Sequence, residues 1–169
     1  MADYFKSITD DQSDLIENAK LFFIASADPA LTNGPHGVGP INLSPKGGVP
    51  LHIIDRNRVA YLDYTGSGNE TARHSMAGGP ITVMICSFEE TNAAVVRLFG
   101  KATITAIADS PIREQLMESL ATEIALPERQ IIDIAIDGTA TSCGYGVPVM
   151  NESRERKIVD RGRRYKDKK

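Results

Sequence analysis

Hydrophobic and polar residues alternate along much of the chain at the spacing of two that extended strands produce. This alternation predicts strands at 20–26, 41–48, 51–54, 59–64, 81–88, 95–108 and 130–136. Helical spacing is limited to short stretches, at 10–18, at 69–77 and after Ser110-Pro111. The Gly- and Pro-rich stretch 27–40 is predicted to be irregular. A strand-rich order with few helices favours an antiparallel barrel over a layered α/β sheet.

The predicted strand at 41–48 reads INLSPKGG, with a polar residue at every second position. In an extended conformation Asn42, Ser44 and Lys46 share one side, and the residues between them form an apolar side. The polar side offers an amide, a hydroxyl and an ammonium group. A solvated strand face and a ligand-binding face both have this pattern.

The stretch 59–71, VAYLDYTGSGNET, is predicted to be a strand that runs into a turn. Gly66 and Gly68 permit positive φ or a close approach of the backbone to a ligand. Ser67, Asn69 and Thr71 place hydroxyl and amide groups at the start of a helix, where free N–H groups bind anions. A plain N-cap by Ser67 or Asn69 has the same pattern, so the residues leave both interpretations open.

A dinucleotide fingerprint is excluded at this turn. Thr71 occupies the third glycine position of G-x-G-x-x-G, and Gly78, Gly79 and Pro80 end the helical stretch early. A parallel crossover requires a longer, packed helix.

Together, N-x-S-P-K-G, the turn D-Y-T-G-S-G-N-E-T and the stretches ITVMICSF and VVRLFGKATI resemble the pyridoxamine 5′-phosphate oxidase-like family of FMN-binding split β-barrels. The resemblance covers residues 20–150. It implies a mainly β fold, a six-stranded antiparallel split barrel with peripheral helices. It also implies a homodimer with FMN sites at the subunit interface, and an FMN-dependent oxidoreductase that acts on a small organic substrate.

The resemblance implies contacts to three parts of FMN: the flavin ring, the ring edge with the ribityl chain, and the phosphate. The residues implied for these parts are, in the same order, Asn42, Ser44 and Lys46; Asp63, Tyr64 and Thr65; and Ser67, Asn69 and Thr71. Arg73 and Arg97 are further cations for the phosphate. Tyr145, in the segment SCGYGVP, is a candidate contact to the flavin of the other subunit. No catalytic side chain is assigned.

One short stretch departs from the family pattern. The true pyridoxamine phosphate oxidases have a Ser-Arg-Lys run at the phosphate, whereas this chain has Asn69, Glu70 and Thr71. An acidic side chain repels a dianion unless cations balance it. Vitamin B6 oxidation is therefore not expected, while FMN binding is. The competing interpretations are a flavin-binding or sensing module without turnover, and a binder of another cofactor such as haem.

Composition agrees with one domain at 1–150 and a basic tail or helix at 151–169, within a chain of 169 residues. From Arg154 onward the tail has nine basic and three acidic residues, a bias that suits an acidic surface. Nucleic acid is not favoured, because Tyr165 alone interrupts the charges with an aromatic ring.

The sequence also bears on the location of the protein and on its metal content. No run approaches the roughly 18 apolar residues of a membrane span, and the first residues lack an export signal, so a cytoplasmic location is expected. Two cysteines, Cys86 and Cys143, are too few for a disulfide framework or a four-ligand zinc site, and no metal is expected.

Overall fold

The structure, a computed structural model, describes residues 1–66, 68–118 and 128–150. Those ranges contain eight strands and three α-helices. The strands are β1 (Ala2–Phe5), β2 (Leu21–Ala27), β3 (Ile41–Gly47), β4 (His52–Asp55), β5 (Arg58–Tyr64), β6 (Ile81–Cys86), β7 (Ala94–Thr105) and β8 (Glu128–Cys143). The helices are α1 (Asp10–Asn18), α2 (Glu70–Met76) and α3 (Arg113–Glu118). The basic tail at 151–169 lies outside the described residues.

All the described strands join one antiparallel sheet in the order β3-β2-β6-β7-β8-β5-β4, with β1 paired to β8. The predicted mainly β class is therefore confirmed. The strand count is eight instead of six, because the short strand β1 adds to β8 and β4 forms a hairpin with β5. The path is open between β3 and β4 within the described part of the chain, so the barrel is split rather than closed.

Two apolar clusters hold the sheet together. The larger one fills the concave interior with side chains from β2, β5, β6, β7 and β8, and it includes Phe22, Tyr61 and Ile132. The smaller one lies on the other face of β5 and β8, where Ile112 and Leu116 from α3 and the segment before it cover the strands. The prediction that this helix covers the sheet is confirmed for these two positions. Leu120 and Ile124 lie outside the described residues.

The longest strand, β8, pairs with β7, β5 and β1. Its pairing with β7 shifts register between Phe99 and Gly100, which indicates a β-bulge. A Cβ atom at Gly100 would lie 1.9 Å from the backbone oxygen of Ala135. Glycine is therefore required where these two strands approach most closely.

The stretch predicted to be irregular contains one 3₁₀ turn, Pro35–Gly37, between β2 and β3. The helix predicted at 10–18 is confirmed as α1, and Thr9 caps it in a capping box with Gln12. None of the described helices is long and apolar enough to cross a membrane.

Candidate functional site

The polar side of β3 faces the interior of the barrel. Antiparallel pairing places its residues opposite three buried residues of β2, in the pairs Asn42 with Ser26, Ser44 with Ile24 and Lys46 with Phe22. Directly opposite residues share a sheet face, so the three polar side chains look toward the core and are half-buried. The apolar side is the exposed one, since Ile41 and Leu43 are 69% and 66% exposed. The interpretation of a solvated polar face is therefore wrong.

Asp63, at the end of β5, connects this strand to the rest of the site. Its carboxylate is almost buried, and it accepts a hydrogen bond from Lys46 Nζ at 3.1 Å and one from Gln130 Nε2 at 3.0 Å. Arg129 Nη1 lies 3.8 Å from the second carboxylate oxygen. The Lys46 ammonium also lies 5.6 Å from the centre of the Tyr61 ring, within cation–π range. The N-x-S-P-K-G strand and the D-Y-T-G turn thus meet at an ion pair.

The glycine turn after β5 is held by the start of β8. Arg129 donates from Nη1 to the carbonyl of Gly68 at 2.8 Å and from Nη2 to that of Gly66 at 3.2 Å. The side-chain oxygen of Asn69 accepts from Arg129 Nη1 at 3.0 Å and from Gln130 Nε2 at 2.7 Å. Asn69 stands at the N-cap position of α2 but its side chain makes no capping bond. The plain N-cap interpretation is therefore wrong for Asn69, and Ser67 lies outside the described residues.

A second link joins β3 to α2. Asn42 Nδ2 donates to Thr71 Oγ1 at 3.1 Å, and Thr71 is almost buried. The Ser44 hydroxyl makes no hydrogen bond within the described ranges. The carboxylate of Glu70 folds over Gly68, where a Cβ atom would lie 2.1 Å from its Oε2. The acidic departure seen in the sequence therefore lies against the turn itself.

Behind α2, a buried polar chain connects the helix to β2. Ser26 Oγ lies 2.9 Å from His74 Nδ1, and Arg73 Nη2 lies 2.9 Å from His74 Nε2. Because a guanidinium only donates, Nε2 must accept, and the ring proton sits on Nδ1 and is donated to Ser26. Arg73 also pairs with Asp28 at 3.3 Å. Its guanidinium lies against the loop, since a Cβ atom at Gly34 would be 2.5 Å away.

Asp28 fastens that loop. Burial alone would raise the pKa of its carboxyl group, but backbone hydrogen bonds from Ala30 and Thr32 and the charge of Arg73 lower the pKa below its ordinary value. Asp28 therefore stays ionised, and the ion pair with Arg73 joins α2 to the segment that leads into β3. The guanidinium of Arg73 is therefore bound to this loop.

The remaining predicted site residues lie apart from the polar cluster formed by β3, the glycine turn and the start of β8. Tyr64 faces the smaller apolar cluster, and burial, followed by the charge of Glu128, raises its pKa. Thr65 is exposed at the turn. Arg97 lies on the face of β7 that does not line the core and donates to Ser142 Oγ at 3.1 Å. Tyr145 is 96% exposed beyond the far end of β8 from Gln130.

The sequence interpretation missed Arg129 and Gln130, which complete the site. One signal for Gln130 was available, since it begins the alternation that continues with Ile132 and Ile134 and is therefore a polar residue at a core position. No comparable signal exists for Arg129, because its partners lie 60 to 63 residues away in sequence.

The hydroxyl of Tyr61 is buried and has no hydrogen-bond partner in the described part of the chain. Burial raises its pKa, and the charge of Asp63 raises it further. Since an unsatisfied buried polar group costs roughly 1–3 kcal/mol, we expect Tyr61→Phe to leave the free energy of unfolding unchanged or to raise it. Urea denaturation measures this, and a loss of about 1 kcal/mol or more would show that the hydroxyl has a partner in solution.

The comparison with known sequences found no family model that matches the chain. A curated protein does match: this chain is 32% identical over 151 residues to "Pyridoxamine 5'-phosphate oxidase family protein ustO" of Aspergillus flavus. The match takes up 88% of this chain and 57% of that protein, so the chain spans little more than half of the relative's length.

Solved structures share the fold. A protein from Lactobacillus delbrueckii, described as a putative pyridoxamine 5′-phosphate oxidase, superimposes with a TM-score of 0.56 and 16% identity, over 79% of this chain and 93% of that one. A protein from Syntrophomonas wolfei, described as FMN-binding, superimposes with a TM-score of 0.54 and 10% identity, over 75% and 85% of the two chains. Identities this low show the fold alone. Sequence match and shared fold together confirm the resemblance that the motifs predicted, to the pyridoxamine 5′-phosphate oxidase-like family.

Proposed function

We propose that this protein binds FMN between β3, the turn after β5 and the start of β8, and that it is an FMN-dependent oxidoreductase. One observation carries the proposal. Two motifs that are separate in sequence are joined, through Lys46 with Asp63 and Asn42 with Thr71, into one half-buried polar cluster. The choice of cofactor is supported by the similarity to a pyridoxamine 5′-phosphate oxidase family protein and by the fold shared with a protein described as FMN-binding.

The donors in the cluster suit a flavin mononucleotide. FMN presents ring carbonyl oxygens, the ring nitrogens N1 and N5 and a phosphate dianion, which all accept hydrogen bonds. The cluster offers the Lys46 ammonium, the Ser44 and Thr71 hydroxyls and the Asn69 amide nitrogen, and the last three donate to no described residue. Donors without a protein partner are free to bind acceptors of a ligand. The residues present therefore fit the cofactor.

The residues have separable roles in this proposal. When bound, flavin supplies the electron chemistry, while the protein holds the ring and sets the electrostatics around it. Lys46 places positive charge beside the ring, and Asp63 fixes the position of that charge. Ser44 donates to the ring from the same strand. Asn69 and Thr71 donate to the phosphate from the turn and from α2.

The substrate is proposed to be a small organic molecule other than a vitamin B6 phosphate. A phosphorylated substrate would bring a second dianion and would need cations of its own. Around this cluster, Arg129 and Lys46 already share Asp63, and Arg73 is paired with Asp28. Glu70 adds negative charge to the turn. Among the described residues of this cluster, these charges leave the second dianion without partners.

We also propose that the functional unit is a homodimer in which the exposed apolar side of β3 packs against a second copy. Ile41 and Leu43 are largely exposed, and β2 extends the surface with half-buried Phe23 opposite Pro45. An exposed apolar strip beside a half-buried polar site is typical of a site completed by another subunit. The partner chain would then reach the flavin pocket around β3, which ends the path of the sheet.

The cofactor assignment is tested by comparing FMN with riboflavin, which lacks only the phosphate. The wild-type protein is expected to bind about one FMN per chain, as flavin fluorescence titration measures. Thr71→Val should raise the Kd for FMN about tenfold or more and change the Kd for riboflavin little, because a hydrogen bond to a charged group contributes roughly 1.5–3 kcal/mol. Thr139→Val is the control. Thr139 is also buried and its hydroxyl also makes one hydrogen bond, but it lies toward the end of β8, away from the start of that strand where the site is proposed.

Equal losses for both ligands in Thr71→Val would contradict the placement of the phosphate beside α2. The absence of FMN binding by the wild-type protein would overturn the proposed function. The visible spectrum of the purified protein separates the remaining possibilities, because flavin and haem absorb in different bands. Anaerobic addition of NADH or NADPH then shows whether the bound flavin is reduced, which separates an oxidoreductase from a binding module.

A further inference from the structure

Arg129 makes more hydrogen bonds to the glycine turn than any other described side chain. We propose that Arg129 is a positioning residue: it orients the Asn69 amide so that the NH₂ group of that amide is presented to the phosphate of FMN. The inference rests on the proposed function and adds a specific donor to it. It assigns a role to a residue that no motif in the sequence identified.

Three of the five N–H groups of the guanidinium donate to the turn. They donate to the carbonyls of Gly66 and Gly68 and to Asn69 Oδ1, over distances of 2.8 to 3.2 Å. Three acceptors within four residues match the planar fork of an arginine, which presents several N–H groups in fixed directions. A lysine ammonium at the same place would reach one of these acceptors firmly and would leave the others unpaired.

These bonds determine which way the Asn69 amide faces. An arginine has no acceptor, so the Asn69 atom that faces it must be the carbonyl oxygen. Gln130 must then present its own nitrogen to the same oxygen, at 2.7 Å, and that nitrogen also donates to Asp63 at 3.0 Å. The orientation of the Asn69 amide is therefore fixed by Arg129 together with Gln130, whose own nitrogen also donates to Asp63.

The consequence is a donor group aimed away from the protein. Asn69 Oδ1 has both lone pairs occupied, by Arg129 and by Gln130. The Asn69 nitrogen carries two hydrogens, donates to none of the described residues and belongs to an exposed side chain. An anionic oxygen is the acceptor that such a group binds best.

Arg129 itself is not placed as a phosphate contact. Both of its terminal nitrogens donate to the turn, and its charge lies 3.8 Å from the carboxylate of Asp63. It therefore acts through Asn69. The distinction matters for the test, because a direct contact and a positioning residue respond differently when Asn69 is also changed.

The experiment measures the Kd for FMN and for riboflavin in Arg129→Lys, Asn69→Asp and the double variant. Arg129→Lys keeps the charge but loses the fork, and Asn69→Asp keeps the shape but replaces the NH₂ donor by a negatively charged oxygen. Arg129→Lys is expected to raise the Kd for FMN about tenfold, as loss of a charged hydrogen bond does. Asn69→Asp is expected to raise it at least as much, because its carboxylate also repels the phosphate. The Kd for riboflavin should change by less than about twofold. The double variant should be no weaker than Asn69→Asp alone, because both changes remove the same donor.

Arg58→Lys is the matched control. Arg58 also joins β5 to β8, through two hydrogen bonds to Asp133, but it does not touch the turn. Thermal melts of both lysine variants record any general loss of stability. A second readout is the side-chain amide signal of Asn69 in a ¹⁵N–¹H spectrum, which should shift on addition of FMN to the wild type and not to Arg129→Lys.

Three results would overturn the inference. The first is additive losses of FMN affinity in the double variant, and the second is an equal change in the Kd for FMN in Arg58→Lys and Arg129→Lys. The third is an Asn69 amide signal that does not shift when FMN is added to the wild type. All three leave the proposed function intact, provided that the wild-type protein binds FMN. A wild-type protein that binds no FMN overturns the proposed function, and this inference with it.

Discussion

Gly100→Ala is expected to destabilise the fold by about 3 kcal/mol or more, a large part of the stability of a domain of this size. The added Cβ would lie 1.9 Å from the backbone oxygen of Ala135 and 3.0 Å from its carbonyl carbon. Both atoms belong to the neighbouring strand, so relief requires β7 and β8 to separate. The free energy of unfolding from urea denaturation measures the effect.

Gly39→Ala is the control for this prediction. Gly39 lies in the loop before β3, nothing lies within 4 Å of its added Cβ, and its backbone is not in the left-handed region. A change within about 0.5 kcal/mol is expected there. If Gly100→Ala proved as harmless as Gly39→Ala, the close approach at the bulge would be refuted.

Leu43→Glu is expected to convert the proposed dimer into a monomer at micromolar concentration. The charge would be buried against an apolar surface of the second copy, and substitutions at the centre of an interface cost about 2 kcal/mol or more, roughly thirtyfold in Kd. Light scattering gives the mass of the particle. FMN affinity should fall in the same variant, because the proposed pocket is completed by the partner.

Met76→Glu is the matched control for the interface, since Met76 is 68% exposed and Leu43 is 66% exposed. It lies at the end of α2, away from the exposed side of β3, and should leave both mass and affinity unchanged. A wild-type protein that is monomeric and still binds FMN tightly would contradict the homodimer.

Much of the fold followed from local pattern. The alternation in 41–48 and 59–64 located β3 and β5, and the polar side of β3 was identified residue by residue. The strand β1 was missed, because four mostly exposed residues carry no alternation and pair with a segment about 137 residues away. Pairing between distant segments leaves little trace in a short exposed strand.

The contacts within the candidate site could be predicted only in part. Strand geometry fixes which side of its strand each of Asn42, Lys46 and Asp63 takes. Arg129 could not, because its partners are backbone carbonyls, which have no signature in the sequence. The position of Arg73 depends on its contacts with the buried His74 and with Asp28. These contacts form only when α2 packs on β2, so they cannot be read from the sequence.

The position of β8 in the sheet has a consequence for synthesis. This strand, Glu128–Cys143, is the partner of β1, β5 and β7, and two of these, β1 and β5, are synthesised long before it. Pairings of such sequence separation slow folding, and the waiting strands expose their edges on the ribosome. The nascent chain should therefore depend on chaperones until β8 has emerged.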